Sequence, residues 1–554
     1  MGDRSRMPVL GGILALCVLA GLVNHASHET ALPFDPHEAT IEGIHRAFES
    51  GSLTCVELVS FYLRRIAAYE DAGPRLNAIT TLHPAPLEAA AALDAKARRG
   101  GPTGPLHCIP VLLKDNIDTR DMATSNGSVI LKDAVPPEDA FIVKRLKAAG
   151  ALILGKASMG EFAGGSYNTI DGQTLNPFRF SRATGGSSSG SAAAVSADLA
   201  VLAVGTDTST SVRGPAAFTG VVGLRPTTGL ISRGGIAPKN LLFDTAGPIA
   251  RTVRDAAILL NALAAPDPAD PLSVDVFSRY PAAGKAGGGY ADFTGDLRSD
   301  AMRGARLGVV EDFFGGDPEI DALGRAALEK MEALGATLVR VRLDAELLDV
   351  YVQNATRNIR RIADYRFRPD WEAYLARFGD GVPRTTAEFV KIYESQVAAS
   401  PLPVEASVLD LLKRSLATSP ADARYRELVE KTLPRGTALK LAMFDRYKLD
   451  ALVFPYQPAF APRIENPVRH VEDPTYVPAR ERPNPATLAG YSSVGFPGVV
   501  VPMGYGTHGL PMGISFMARP YAERRMLGFA YAYEQATRHR RPSPLLPPLP
   551  RPPA

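Results

Sequence analysis

Residues 184–207 read TGGSSSGSAAAVSADLAVLAVGTD, a Gly/Ser loop running straight into a long stretch of small apolar residues. The spacing predicts an apolar small-residue helix, and a helix without a polar face is stable only inside a core. A Gly/Ser tract alone usually acts as a flexible linker. At the start of a buried helix it instead presents first-turn N–H groups and hydroxyls in a low-dielectric place. The stretch therefore reads as a site rather than a tether. A second serine-rich run, GTDTSTSVR at 205–213, follows directly, and the question becomes which serine reacts.

Several chemistries are excluded by what surrounds these loops. A phosphate cradle of the Walker type needs a lysine after the glycines, and none follows. No HExxH or clustered His/Asp supports metal hydrolysis. Gly504–Gly509 matches GxGxxG, but LPMGISFMA, with Pro511 and Gly513, reads as a strand where a dinucleotide site requires a helix. A hairpin turn is the better account. Gly186–Gly190 matches GxSxG, which would make Ser188 the nucleophile of an α/β-hydrolase-type esterase. That elbow needs a buried strand before it, and NPFRFSRAT is not one; the downstream histidines, His470, His508 and His539, have no triad setting. The Ser188 reading is kept as the alternative. What remains is a serine nucleophile with a lysine base, which works only when the lysine is neutral. Burial favours the neutral form. Lys114, at the end of the apolar run IPVLL, occupies such a place; the competing expectation is a lysine that snorkels to water beside Asp115.

The rest of the chain predicts an α/β layer fold. Ile41, Ile44 and Phe48 fall at helical spacing, Thr54 and Glu57 form a capping-box pattern, and a helix closed by Gly150 precedes a strand at 151–154. From 266 to 434, Pro- and Gly-rich linkers alternate with charged helices, predicting a peripheral, substrate-facing segment. LDALVFP and GFPGVVVPMG return to core strands, and 541–554 is a Pro-rich tail expected to be extended or disordered. The net charge of +3 in 554 residues gives no field suited to nucleic acid. Arg4 and Arg6 precede the apolar run Met7–Val23, the layout of a secretory signal peptide over 1–26, or of an N-terminal anchor if uncleaved. The expectation is an exported protein, periplasmic or secreted if bacterial, touching membrane only through an uncleaved leader. Cys17 leaves with the leader; Cys55 and Cys108 could pair, although a chain of this size does not need a disulfide.

LLKDNIDT, GKASMGEFA, GGSSSGS, GTDTSTSVRGPAAFTGVVGLRPTTG and GGIAPKNLLFDTAGPIART, in this order, resemble the amidase signature enzymes. The likeness spans about Phe34 to Arg540, and the bacterial peptide amidase and aryl acylamidase-type members are the most similar. It implies one large α/β domain over 34–540, with a central mixed β-sheet covered by helices on both faces and 266–434 as a variable helical segment. It also implies a Ser-cis-Ser-Lys triad of Ser211 (nucleophile), Ser187 (bridge) and Lys114 (base), with no cofactor and no metal. Backbone N–H groups of Thr208, Ser209, Thr210 and Ser211 would form the oxyanion hole, with Asp207, Arg213 and Ser188 in support. Expected substrates are small or peptide amides, with esters, anilides or carbamates as side substrates. The export signal argues against the family's tRNA-dependent amidotransferase role. Specificity is expected from 122–128, 164–173 and the middle segment; Tyr351, Asn354, Trp371 and Tyr374 either line a cleft or belong to the core. One departure stands out: the family commonly has Gly-Gly where this chain has Ser209-Thr210. If positive φ were required there, the loop would be strained and a catalytically dead, amidase-fold binding protein would result.

Overall fold

Short, β-branched and aliphatic runs buried on both faces build the centre of the fold, as a sheet covered by helices requires. A computed structural model describes residues 34–279, 292–353, 359–397, 402, 406–465, 469–471 and 485–550. Eleven strands form one sheet. They are β1 (Ile79–Leu82), β2 (Pro110–Lys114), β3 (Leu152–Ala157), β4 (Leu202–Asp207), β5 (Val222–Arg225), β6 (Thr245–Ala250), β7 (Arg306–Val310), β8 (Thr337–Val341), β9 (Ala451–Pro455), β10 (Gly498–Tyr505) and β11 (Pro511–Ala518). Their spatial order is β1-β3-β2-β4-β6-β5-β10-β11-β9-β7-β8. β2 runs parallel to β3 and β4, and β7 runs parallel to β8 and β9, while the remaining pairs are antiparallel. The sheet is therefore mixed, in a single large α/β domain.

The apolar run after the Gly/Ser loop divides where one helix was expected. Ser189–Ser196 is a fully buried helix, and 202–207 is strand β4. Small residues let this helix lie unusually close to the sheet. A Cβ on Gly190 would stand 2.3 Å from the Ala78 carbonyl oxygen and 2.6 Å from the Ser158 nitrogen. Chain order helix–turn–strand thus delivers β4 beside β2, with Leu113 opposite Val204. Residues 504–509 join β10 to β11 as an antiparallel hairpin, so the GxGxxG match is a turn. The capping box at Thr54 and Glu57 forms as its spacing predicts.

The 266–434 stretch contributes β7 and β8 at one end of the sheet and, beyond residue 359, a helical layer with its own apolar cluster. Phe162 plugs into that layer, with ring centroids 5.1 Å from Trp371, 5.9 Å from Phe389 and 6.2 Å from Tyr393. Tyr351 and Trp371 are fully buried and Tyr374 nearly so, which makes them packing residues rather than cleft lining; Asn354 lies outside the described residues. The Pro-rich tail is extended but docked as far as residue 550: Arg65 and Tyr69 donate to the Pro547 carbonyl, and Leu546 is buried. Cys55 and Cys108 are joined by a disulfide, with Cα atoms 5.6 Å apart, tying a helix N-terminus to the residue preceding Ile109 and β2. Among the described residues no helix is long and apolar enough to cross a membrane. The expected leader, 1–26, lies outside them.

Candidate active site

Parallel strands β2 and β4 end side by side, and their C-terminal ends carry the chemistry, as open α/β sheets generally arrange it. Lys114 closes β2 with no exposed surface. Its Nζ donates to Ser187 Oγ at 2.7 Å, to Thr206 Oγ1 at 2.9 Å and to the Thr206 carbonyl at 3.3 Å. Asp115 does not pair with it; that carboxylate faces Lys156 Nζ at 3.3 Å and accepts from Ser125. Burial lowers the Lys114 pKa strongly, Asp207 pulls it back up and Lys239 pushes it down again, leaving it at about 7. A lysine that would otherwise be an ammonium ion is thus poised to exchange a proton near neutrality.

Ser187 follows Gly186 across a cis peptide bond. Glycine is required at 186 by contact alone, since a Cβ there would overlap the Gly165 carbonyl oxygen, and at Gly185 by a φ of +70°. Ser188 points the other way. Its Oγ donates to the Thr206 carbonyl and accepts from the Thr206 N–H, both at 3.2 Å, and it has no exposed surface. The residues before it form no buried strand of the central sheet, so the elbow geometry is not built. Its N–H, however, holds the Ser211 carbonyl at 3.1 Å.

Beyond β4 the chain turns through Thr208, Ser209, Thr210 and Ser211 into the helix Arg213–Thr219. These four residues, Ser187, Phe243 and Tyr491 line a cleft of about 250 Å³. None of the four has positive φ, so serine and threonine occupy the loop without the strain that replacing Gly-Gly could have caused. Among the described residues, none of their amide N–H groups donates to a protein acceptor. Unpartnered amides on cleft-lining residues are what an oxyanion-binding loop must offer.

Asp207 fastens this loop. Arg213 Nε lies 3.2 Å from Asp207 Oδ2, Arg225 Nη1 lies 3.0 Å from Oδ1, and Val212 N–H donates to Oδ2 at 3.2 Å. Burial raises the Asp207 pKa, but the two guanidiniums outweigh it and hold the group at about 2. Arg225 escapes a reading of the sequence, as do Thr206, Asp244 and Tyr456. Period-two alternation along β4 could have assigned Thr206 and Asp207 to opposite faces; Arg225 lies 18 residues beyond Asp207 at the end of β5, and Tyr456, just after β9, is far along the chain and leaves no local signal.

A family model described as Amidase matches residues 57–527. The chain belongs to the amidase family. It is 36% identical over 521 residues to a glutamyl-tRNA(Gln) amidotransferase subunit of Symbiobacterium thermophilum, covering 91% of this chain and 98% of the relative. The native peptide amidase structure from Stenotrophomonas maltophilia superimposes with a TM-score of 0.79 at 35% identity, covering 92% of this chain and 99% of that one. A bacterial aryl acylamidase shares the fold, with a TM-score of 0.73 at 24% identity over 90% of this chain and 96% of that one. Membership in the amidase family accounts for the sheet, the serine-rich loops and their order along the chain.

Proposed function

We propose that this amidase-family protein hydrolyses carboxamide C–N bonds of small or peptide amides through an acyl-enzyme on Ser211. Neutral Lys114 takes a proton from Ser187, and Ser187 takes one from Ser211 as Ser211 Oγ attacks the carbonyl carbon. The oxyanion is received by amides of Thr208–Ser211. The relay then returns the proton to the departing amine and activates water for deacylation. Esters, anilides and carbamates present the same carbonyl geometry and are expected as side substrates. The observation that carries this reading is the 2.7 Å contact between a fully buried Lys114 and Ser187 at the rim of a cleft that also contains Ser211.

Export is part of the proposal. The Met7–Val23 run supports it, and so does the Cys55–Cys108 disulfide, since such bonds persist in oxidising compartments. The competing reading, one component of a tRNA-dependent amidotransferase, is favoured by the 36% identity to the Symbiobacterium relative. Turnover of a free peptide amide by the isolated chain supports the first. Activity appearing only with glutamyl-tRNA and added partner proteins supports the second.

The direct test of the site is labelling with an alkyl fluorophosphonate and mapping of the adduct. Label on Ser211, lost in Ser211→Ala and strongly slowed in Lys114→Met, is expected, while Ser188→Ala keeps its label. Label on Ser188 would move the case to the esterase alternative, and a folded chain with no label would be a binding protein.

A further inference from the structure

Four consecutive residues wall the cleft, and each is held by a different group. Thr208 Oγ1 donates to Asp244 Oδ1 at 2.6 Å. The Ser209 carbonyl accepts from Arg213 Nη2 at 2.5 Å, and the Ser211 carbonyl accepts from Ser188 N–H at 3.1 Å. Thr210 is the remaining member. Its carbonyl accepts from Gly214 N–H at 2.8 Å, and its hydroxyl lies 2.9 Å from that of Tyr456.

Tyr456 is itself immobilised. It directly follows β9, its N–H donates to the Gly513 carbonyl at 3.0 Å, and it has no exposed surface. Its ring lies 5.3 Å from the Arg213 guanidinium carbon, and that same guanidinium holds Asp207 and the Ser209 carbonyl. The phenol therefore links the far half of the sheet to the residue immediately before Ser211. Amides that bind an oxyanion work only when they are held in place before the charge develops. A loop built of serine and threonine at one edge of a cleft acquires that rigidity from its side-chain anchors.

We propose that Tyr456 is a positioning residue: by holding Thr210 Oγ1 it fixes the direction of the Thr208–Ser211 amides and of the Ser211 side chain, without touching substrate. This rests on Ser211 being the nucleophile.

The test uses the full chain and the rate at which an alkyl fluorophosphonate modifies Ser211, so no physiological substrate is needed. Tyr456→Phe and Thr210→Val each remove one hydroxyl while keeping shape. Each is expected to lower the maximal labelling rate by about 10- to 100-fold, the order expected for a misplaced catalytic group, with the half-saturating probe concentration unchanged. The double variant is expected to be no slower than the worse single one, because both changes break the same contact. Thr210→Ser, which restores the hydroxyl, is expected to label within about threefold of the unmodified chain. A general structural role would instead lower thermal stability and would not discriminate serine from valine by labelling rate. Unchanged rates in both single variants, losses that multiply in the double variant, or a Thr210→Ser chain as slow as Thr210→Val would each overturn the inference. If Tyr456→Phe fails to fold, the Thr210 pair decides. An unlabelled Ser211 in the unmodified chain would remove the nucleophile assignment and this inference together, whereas labelled Ser211 with indifferent variants would remove only the inference.

Discussion

The pH profile of Ser211 reactivity is the sharpest consequence of burying Lys114. With an ordinary pKa of 10.5, only about 0.03% of lysine side chains are neutral at pH 7. At about 7, the value its burial produces here, about half are neutral. The fold thereby raises the population of neutral Lys114 on the order of a thousandfold at neutral pH. The expected fluorophosphonate labelling rate rises about tenfold per pH unit below about pH 6, bends near pH 7 and is flat above about pH 8. Two neighbours should move the bend. Lys239 lowers the Lys114 pKa and Asp244 raises it, so Lys239→Gln shifts the bend upward and Asp244→Asn shifts it downward. The assay is the second-order labelling rate between about pH 5 and 9 at constant ionic strength, with Lys114→Met as the reference that should lose the inflection. A bend near pH 10, or an inflection that survives in Lys114→Met, would refute the assignment of the base to Lys114.

Two further perturbations test the framework around the site. Asp207→Asn leaves Arg213 and Arg225 buried without their carboxylate, and a loss of about 3–5 kcal/mol in urea unfolding is expected. Because the folded-state pKa of Asp207 is depressed to about 2 from 3.8, its contribution is present above pH 3.8 and lost as pH falls through 2, a step that the Asn variant should lack. Reducing the Cys55–Cys108 disulfide, which spans a sequence separation of 53, should lower stability by about 4 kcal/mol on the loop-entropy account. An unchanged melting temperature after verified reduction would contradict that account.

Local signals are legible wherever the deciding forces are local. The Thr54–Glu57 capping box, the strand ending at Lys114, and the 504–509 hairpin form where spacing places them, because caps, buried strands and turns are decided within a few residues. The apolar run after the Gly/Ser loop misleads because small residues suit both a buried helix and a buried strand. Only packing against β2 and β6 makes 202–207 a strand. Composition marks 266–434 as a change of texture, and only long-range pairing reveals that it supplies β7 and β8 at the end of the sheet.

By itself, the sequence determined the residue types available for reaction, the order of the serine-rich loops and the α/β character of the chain. Tertiary structure alone decided which serine faces Lys114. Ser187 and Ser188 are chemically identical and adjacent, and they differ because one faces a buried amine across a parallel strand pair while the other is bonded to the backbone of β4. It also decided that Lys114 is a buried amine rather than a surface cation, since desolvation comes from the strands and helix packed around it. That residues 208–211 turn without positive φ was decided in the same way. Serine and threonine at 209 and 210 look like a defect beside glycine; besides nearby Arg213, Asp244 and Tyr456 hold this loop from positions far along the chain.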